Sequence, residues 1–596
     1  MPGRAAILSL HSHAARSFLD DASLALLSGD LRRVNVHNDL VLAVLDAWPE
    51  VPFESSDFDR LVRTLGEYEI IIYERVWNRE VAARLRERLP GKVFIHCTGE
   101  HELDDPPADY LCRGDFREVV PALLSHLRGE RADLPPGAYA REAGGFRGLP
   151  YVATQKSARQ WEPNLAPRVV NPEALPAFRT FSIEGNHSCP YQADARHNPL
   201  YAGTNIPGGF GRGCAFCVTG NEYQAKTAEA TIDDVLSQLR YVRRHAPGLE
   251  YLVLKDQNPF AYLAELIDTC REEQLGGFTL LLETRADWFL RSQRRFERAL
   301  ATAAEADVKI SPFLVGVENF SQAELDRFNK GTTSETLKRF VGELWTWNER
   351  FNGTLDLEHA SHGFILLSPW TTFADLATNY EAVKETRFDR LRGALLVSRV
   401  RLYPDTALYY LAERDGLLAG GYSSAEDDSA ARYGYFPASP WRFAEADVAH
   451  FAGLAAQLHR MTGGRDELAT WKCLLDAFGS VDHFSDVDAG AVLERIRAAE
   501  DPVPAHCRAL MRPLSEGRAF AAGWRTTRIT ASEDAFVVDL EHGQEPGFQV
   551  EVRPRTDGPG YRKSRHYSIM YRGTTLSPAQ ERALRAVCAV VTHNDS

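Results

Sequence analysis

Apolar and polar positions along the chain alternate between two rhythms. Short, mostly apolar runs at Ala5–Leu10, Glu69–Tyr73 and Lys92–His96 predict strands, and stretches with apolar residues three to four apart, such as Asn78–Leu89 and Glu118–Leu127, predict helices. Their alternation over residues 1–128 predicts a parallel sheet with crossover helices, of the length of a flavodoxin-like, Rossmann-type unit. Residues 129–178 are rich in Pro, Gly and Arg, break at Leu134-Pro135-Pro136-Gly137, and predict a linker. Alternation resumes over 179–420, with strands expected at Arg179–Glu184, Tyr251–Lys255, Phe278–Glu283, Phe313–Val317, Gly363–Leu367 and Leu395–Leu402. Helices such as Thr231–His245 and Ser334–Asn348 separate them. Six successive strand–helix units fit a partial (β/α)6 barrel of parallel strands; a doubly wound sheet is the competing topology. Residues 421–596 read as a small α+β domain. Helices are expected around Phe443–Met461, Asp466–Phe478 and Ala491–Ala499, strands at Ala535–Leu540, Phe548–Val552 and Ser568–Tyr571, and a last helix at Pro578–Val591. The predicted class is α/β, in three units.

The chain has 596 residues, 44% of them hydrophobic, enough for several buried cores, and a formal net charge of -14. Acidity without a long basic run argues against nucleic acid as a main partner. A smaller basic group, Arg553, Arg555, Arg562, Lys563 and Arg565 beside Tyr561 and Tyr567, is either a surface for an acidic or peptide substrate or a solvated hairpin. No apolar run is long enough to span a membrane, and Met1–His13 lacks the pattern of a signal peptide, so a cytoplasmic location is the expectation. The nine cysteines do not form a disulfide framework in this reading, because the count is odd and most are isolated.

One local pair, Cys214-Ala215-Phe216-Cys217, has metal-ligand spacing. A second element precedes it: the apolar run Phe181-Ser182-Ile183-Glu184 leads into Gly185-Asn186-His187-Ser188-Cys189-Pro190-Tyr191, and 24 residues rich in Gly and Pro separate Cys189 from Cys214. A structural zinc site using His187 or His197, or simply buried thiols, competes for these cysteines. Another register would set Phe210 at the first-ligand position and leave only two local ligands.

This region resembles the radical S-adenosylmethionine (SAM) superfamily, whose strand-to-loop Cys-x3-Cys-x2-Cys motif has an aromatic before the last Cys. Cys189-Pro-Tyr looks like its first half and Cys214-Ala-Phe-Cys217 like its second, parted by an insertion that the family pattern lacks. Loop closure costs grow slowly with length, so a distant first ligand is physically acceptable. The resemblance continues through Leu282-Glu283-Thr284-Arg285, Gly316-Val317-Glu318 with Lys330-Gly331-Thr332, and Tyr403-Pro404-Asp405-Thr406-Ala407-Leu408. It implies a [4Fe–4S] cluster on Cys189, Cys214 and Cys217, with an open iron for SAM and reductive cleavage to a 5′-deoxyadenosyl radical. It assigns Glu283 and Arg285 to SAM, sets Glu318 and Arg399 at further strand ends, and puts Phe216 beside the adenine; strand-end salt bridges and, for Phe216, core packing are the competing readings. Tyr403, His362, Asp256 and Asn258 are candidates to face the substrate, His362 as a base.

Residues 1–128 resemble the cobalamin-binding domain that often precedes such barrels. Asp109-Tyr110-Leu111-Cys112-Arg113-Gly114-Asp115 is similar to its strand-to-helix turn, with Asp115 in place of the usual Glu. No Asp-x-His-x-x-Gly run occurs in it, and a domain that only scaffolds the barrel is the alternative. The whole implies cobalamin-dependent methylation of an unactivated carbon in a natural product or peptide, served by an external electron donor of flavodoxin or ferredoxin type. A radical oxidoreductase or cyclase doing C–H functionalisation or rearrangement, with or without cobalamin, and a non-enzymatic zinc scaffold are the rival readings.

Overall fold

The computed structural model describes residues 4–11, 22–44, 56–73, 79–98, 106–151, 160–170, 180–186, 189–217, 226–404, 406–419, 440–462, 467–481, 484–499, 524–531, 536–542, 548–554, 567–571 and 580. The first sheet contains β1 (Ala5–His11), β2 (Asn38–Val44), β3 (Ile70–Tyr73), β4 (Val93–Thr98), β5 (Tyr110–Arg113), β6 (Ala138–Glu142), β7 (Gly145–Gly148) and β8 (Arg168–Val169). Its order is β7-β6-β5-β4-β3-β1-β2-β8. The first five strands are parallel in the order 2-1-3-4-5, the flavodoxin-like arrangement. Their unbroken apolar runs follow from burial on both faces, as at Ile70, Ile71 and Ile72.

The stretch read as a linker supplies β6, β7 and β8 to this sheet. Its Pro-Pro-Gly segment turns the chain back: Ala138 N–H donates to Pro135 O at 3.0 Å, and β6 then pairs antiparallel with β5. Strand β2 was also absent from the sequence reading, since it opens on Asn38 and Asp39. Buried Asn38 is satisfied locally, accepting from Ser28 Oγ at 2.6 Å and donating to Val36 O at 3.0 Å.

The second sheet is five parallel strands, β9 (Thr180–Glu184), β10 (Tyr251–Lys255), β11 (Phe278–Arg285), β12 (Val308–Glu318) and β13 (His362–Phe364), in the order β13-β12-β11-β10-β9. Helices follow with caps legible in sequence: Thr227 accepts from Ala230 N–H before Ala228–His245, and Thr372 with Asp375 forms a capping box before Phe373–Thr386. The sixth strand expected at Leu395–Leu402 is reduced to isolated bridge residues, among them Arg399, which pairs in parallel with Leu367. Ser398 Oγ takes the Leu366 N–H at 3.0 Å, a local turn runs from Ser398 N–H to Leu395 O, and Trp441 Nε1–H donates to Val400 O at 3.0 Å. Side chains thereby occupy groups that a longer ladder would use.

The segment 160–165 joins the two sheets. Trp161 packs edge-on against Phe181 of β9 and Tyr241, with centroids 6.0 Å and 5.8 Å away. Buried Asn164 donates from its backbone to Ala25 O and from its side chain to Ser28 Oγ at 3.0 Å. The C-terminal helices Ala446–Thr462 and Glu467–Phe478 pack on Phe373–Thr386 through Phe373, Phe451 and Phe478. Beyond them β14 (Trp524–Ala531), β15 (Phe536–His542), β16 (Phe548–Pro554) and β17 (Tyr567–Tyr571) form an antiparallel meander. The helix expected at Pro578–Val591 lies outside the described residues except for Gln580, as do Arg555, Tyr561, Arg562, Lys563 and Arg565 of the basic group. No helix among the described residues is long and apolar enough to cross a membrane.

Replacing Asn164 by Ala removes the donor to Ser28 and loosens the seam between the two sheets. The expected loss is about 1–2 kcal/mol, read as a lowered denaturant midpoint of the first transition.

Candidate functional site

The carboxyl ends of β9 to β12 converge on the three cysteines. At the β9 exit, Asp256 fixes the chain from below: its carboxylate accepts from Asn186 N–H at 2.8 Å, Asn258 N–H at 2.8 Å and Tyr262 Oη at 2.6 Å. Gly185 allows this approach, because a Cβ there would fall 2.6 Å from Tyr262 Oη. Asp256 therefore orders the loop that carries Cys189 and does not stand free for substrate.

The insertion between Cys189 and Cys214 is a closed loop. Ala195 N–H donates to Gly211 O at 2.8 Å, Gly213 N–H donates to Ala193 O at 3.0 Å, and Asp194 bridges Arg212 between them. The loop's body is tied down as well: Tyr201 Oη donates to Arg327 O at 2.6 Å, and Arg414 Nη1 donates to Leu200 O and Ala202 O. Its neck brings Cys214 back beside the segment that follows Cys189, so the tertiary structure supplies the proximity that the sequence spacing withholds.

None of the three is in a disulfide, and all are partly buried. Cys217 N–H donates to Cys214 O at 3.0 Å, turning the Cys-Ala-Phe-Cys segment tightly. Cys217 works against the charged forms of both Cys189 and Cys214. Burial pushes the Cys214 thiol up to about 11 against the pull of Lys330 and Arg285, and burial likewise raises Cys189. Among the described residues, no three His, Cys, Asp or Glu side chains gather tightly enough to hold a single metal ion.

Arg285, at the end of β11, is the organising cation. Its Nη1–H donates to Cys214 Sγ at 3.1 Å, its Nε–H to Asp287 at 2.9 Å and its Nη2–H to Lys330 O at 2.5 Å. Its guanidinium lies 4.1 Å from the centroid of the Tyr191 ring. Burial works against its charge, but Cys214 and Asp287 raise its pKa overall. Lys330, 2% exposed, pairs with Glu318 Oε1 at 2.9 Å and lies 5.9 Å from the Phe216 ring centroid. Glu318 itself has φ +68°, a strained backbone at a strand end. Gly331 must lack a side chain, because a Cβ would collide with Tyr191 Oη, which donates to Asn329 O at 2.8 Å.

Of the residues singled out in sequence, Cys189, Cys214, Cys217, Phe216, Arg285 and Glu318 come together here. Glu283 lies at the same sheet end, paired with Lys255 Nζ at 2.9 Å. Tyr403 is half-buried, and its carbonyl accepts from Thr406 N–H and Oγ1. Three others do not join the site. His362 opens β13 and stacks on Phe388 with centroids 4.1 Å apart, packed against Gly393. Adjacent strand residues face opposite ways, and a Cβ on its neighbour Gly363 would lie 3.1 Å from Glu318 Oε2, so His362 points away from the Glu318 side. Arg399 is exposed and stacks its guanidinium 4.4 Å from the Trp441 centroid. Asp115 caps the Phe116–Leu127 helix, accepting from Arg117 N–H at 3.1 Å. Lys330, Tyr191 and Asn329 were missed as site residues, although Lys330-Gly331 had been noticed as a motif.

No family model matches the chain, and no curated protein matches it. Among solved structures, the cobalamin-dependent S-adenosylmethionine radical enzyme OxsB with aqua-cobalamin bound matches with a TM-score of 0.50 and 13% identity, over 87% of this chain and 74% of that one. The OxsB structure with aqua-cobalamin and S-adenosylmethionine gives 0.50 and 14%, over 87% and 73%. Both of these neighbours are described as a cobalamin-dependent S-adenosylmethionine radical enzyme. At these identities the likeness is one of fold, a parallel α/β architecture with helices. The radical S-adenosylmethionine methyltransferase TsrM from Kitasatospora setae, with tryptophan and aza-SAM bound, matches at 0.47 and 14% over 84% of this chain and 100% of that one.

Lys330→Met leaves the Glu318 carboxylate buried without its partner and should cost about 3 kcal/mol or more in denaturant unfolding. The double variant Glu318→Leu with Lys330→Met should recover most of that loss. A second outcome concerns Glu324, fully buried on the neighbouring helix and pushed up to about 7 by burial. A carboxyl whose folded pKa is raised binds protons more tightly when folded, so its contribution to stability falls as pH rises from its ordinary 4.5 to about 7. Glu324→Gln should flatten that part of the stability profile, measured by unfolding at several pH values.

Proposed function

We propose that this chain is a radical SAM enzyme that holds a [4Fe–4S] cluster through Cys189, Cys214 and Cys217. The observation that carries the reading is that Cys189, Cys214 and Cys217 lie near one another at the carboxyl end of a parallel sheet, beside a buried arginine and a buried lysine. The donor set fits such a cluster: three sulfurs from two short segments, with one corner left open. When bound, the cluster supplies one electron to the SAM sulfonium, giving methionine and a 5′-deoxyadenosyl radical that takes a hydrogen atom from substrate.

The protein's own part is to bind and orient. Arg285 donates toward the thiol side and shields sulfur charge, while Asp287 and Tyr191 hold its guanidinium in one plane. Glu283 and Glu318 offer carboxylates for hydroxyl or ammonium groups of SAM, and Phe216 offers a flat apolar face for the adenine. Tyr403, on the segment after the last barrel bridge, remains a candidate for contact with substrate. A small molecule or peptide is the substrate class, and an external donor of flavodoxin or ferredoxin type supplies the electron.

Cobalamin is the second cofactor of this proposal, with methylation of an unactivated carbon as the reaction. Support comes from the 2-1-3-4-5 order of the N-terminal strands, since sheets of this kind take ligands beyond the carboxyl ends of the strands where the order reverses. Residues 12–21 and 74–78, which follow β1 and β3 there, lie outside the described residues. Asp115, engaged as a helix cap, gives no separate support for a role in cofactor binding.

Anaerobic reconstitution with iron, sulfide and hydroxocobalamin tests the whole. About four irons per chain and 5′-deoxyadenosine from SAM with dithionite are expected, and Cys189→Ala or Cys214→Ala should abolish SAM cleavage. Full iron and SAM cleavage in Cys189→Ala would remove the three-thiol assignment. Bound cobalt separates the cobalamin-dependent readings from a cobalamin-free radical oxidoreductase or cyclase, and a methylated product separates methylation from rearrangement.

A further inference from the structure

We infer that Asn329 is a positioning residue that sets the spacing of Cys189 and Cys214 by clamping the neck of the intervening loop; its importance rests on the cluster reading, but its geometry does not. Asn329 is 9% exposed. Its amide nitrogen donates to Ala193 O at 3.1 Å and to Gly213 O at 2.8 Å. An amide has two N–H groups, and here one goes to each side of the neck. Its amide oxygen accepts from Asn198 Nδ2 at 3.4 Å, inside the loop, and its backbone carbonyl accepts from Tyr191 Oη. Ala193 follows Cys189 by four residues and Gly213 immediately precedes Cys214. Fixing the two carbonyls therefore fixes a short path between the thiols, whatever the loop beyond the neck does.

A competing role is conformational. Asn329 has φ +49°, and Asn at such a position can simply end a helix. That role needs the backbone angle and not the two donors. Asn329→Gly keeps the angle and removes the donors. Asn329→Asp is isosteric, tolerates the same angle, and sets an acceptor against two carbonyls.

The test uses the full-length chain without metal, its thiols reduced, treated with the dithiol cross-linker dibromobimane. Trypsin cuts at Arg212, so the cross-link between the peptide carrying Cys189 and that carrying Cys214 and Cys217 is read by mass spectrometry. Loss of two hydrogen bonds should slow this cross-link about tenfold in Asn329→Gly and at least as much in Asn329→Asp. Amide exchange at Ala195 and Gly213 should quicken by a similar factor while β10 to β12 keep their protection. Cross-linking at the wild-type rate in either folded variant overturns the inference, as does faster exchange spread over all strands. Iron uptake separates the two claims: a wild-type chain that shows the clamp but takes up no iron sinks the cluster reading and leaves the clamp standing.

Discussion

The candidate site depends on one constraint: two chain segments 24 residues apart must meet, and backbone pairing at Ala193–Ala195 and Gly211–Gly213 makes them do so. The entropy of closing such a loop rises only logarithmically with its length, so a few hydrogen bonds at the neck suffice to offset it. The Gly-rich composition of the insertion serves this closure directly. Gly211 and Gly213 have φ +94° and +85°, values that side-chain-bearing residues rarely adopt. A stretch that looks like a spacer in sequence is thus the element that restores proximity.

The barrel mouth then needs charge held still in a place with little water. Arg285 and Lys330 are both buried, and each has its own carboxylate, Asp287 and Glu318. An uncompensated cation there would be costly, and two pairs remove most of that cost while leaving the guanidinium edge turned to Cys214. Buried ion pairs of this kind add little net stability, so their presence at the strand ends points to orientation and not to folding strength.

Much of this was legible. Apolar runs located β1, β3, β4 and β9 to β11 closely, because strands buried on both faces write themselves as continuous apolar stretches, but they caught only the second half of β12 and overran the short β13. What failed had physical reasons. Strand β2 begins with polar Asn38, whose burial depends on Ser28 from the preceding helix. The Pro-Pro-Gly segment reads as a break in sequence but acts as a turn that adds two strands to an existing edge. Strand-end position alone does not separate Arg285 and Glu318, which lie near Cys214 and Lys330, from Arg399 and His362, which pack on Trp441 and Phe388, because it gives the level of a residue along the sheet and not the partner it finds. Asp115 had the ordinary signature of a helix N-cap. Asn329 and Lys330 could not be singled out by period or spacing, since their contacts are made with segments more than a hundred residues earlier and with the far side of β12.

The remaining question is what holds the chain on either side of Cys189. It is anchored on both flanks. Upstream, Asp256 grips the Asn186 N–H, and Asn186 Oδ1 accepts from Lys226 N–H at 2.9 Å, joining the loop's entry to the start of the next helix. Downstream, Gln192 Nε2–H donates back to Cys189 O at 2.8 Å, and the neck begins at Ala193. Cys189 thus lies between two segments that are held by their own hydrogen bonds. Flanks held this way leave less chain to be ordered when a thiol there takes a ligand.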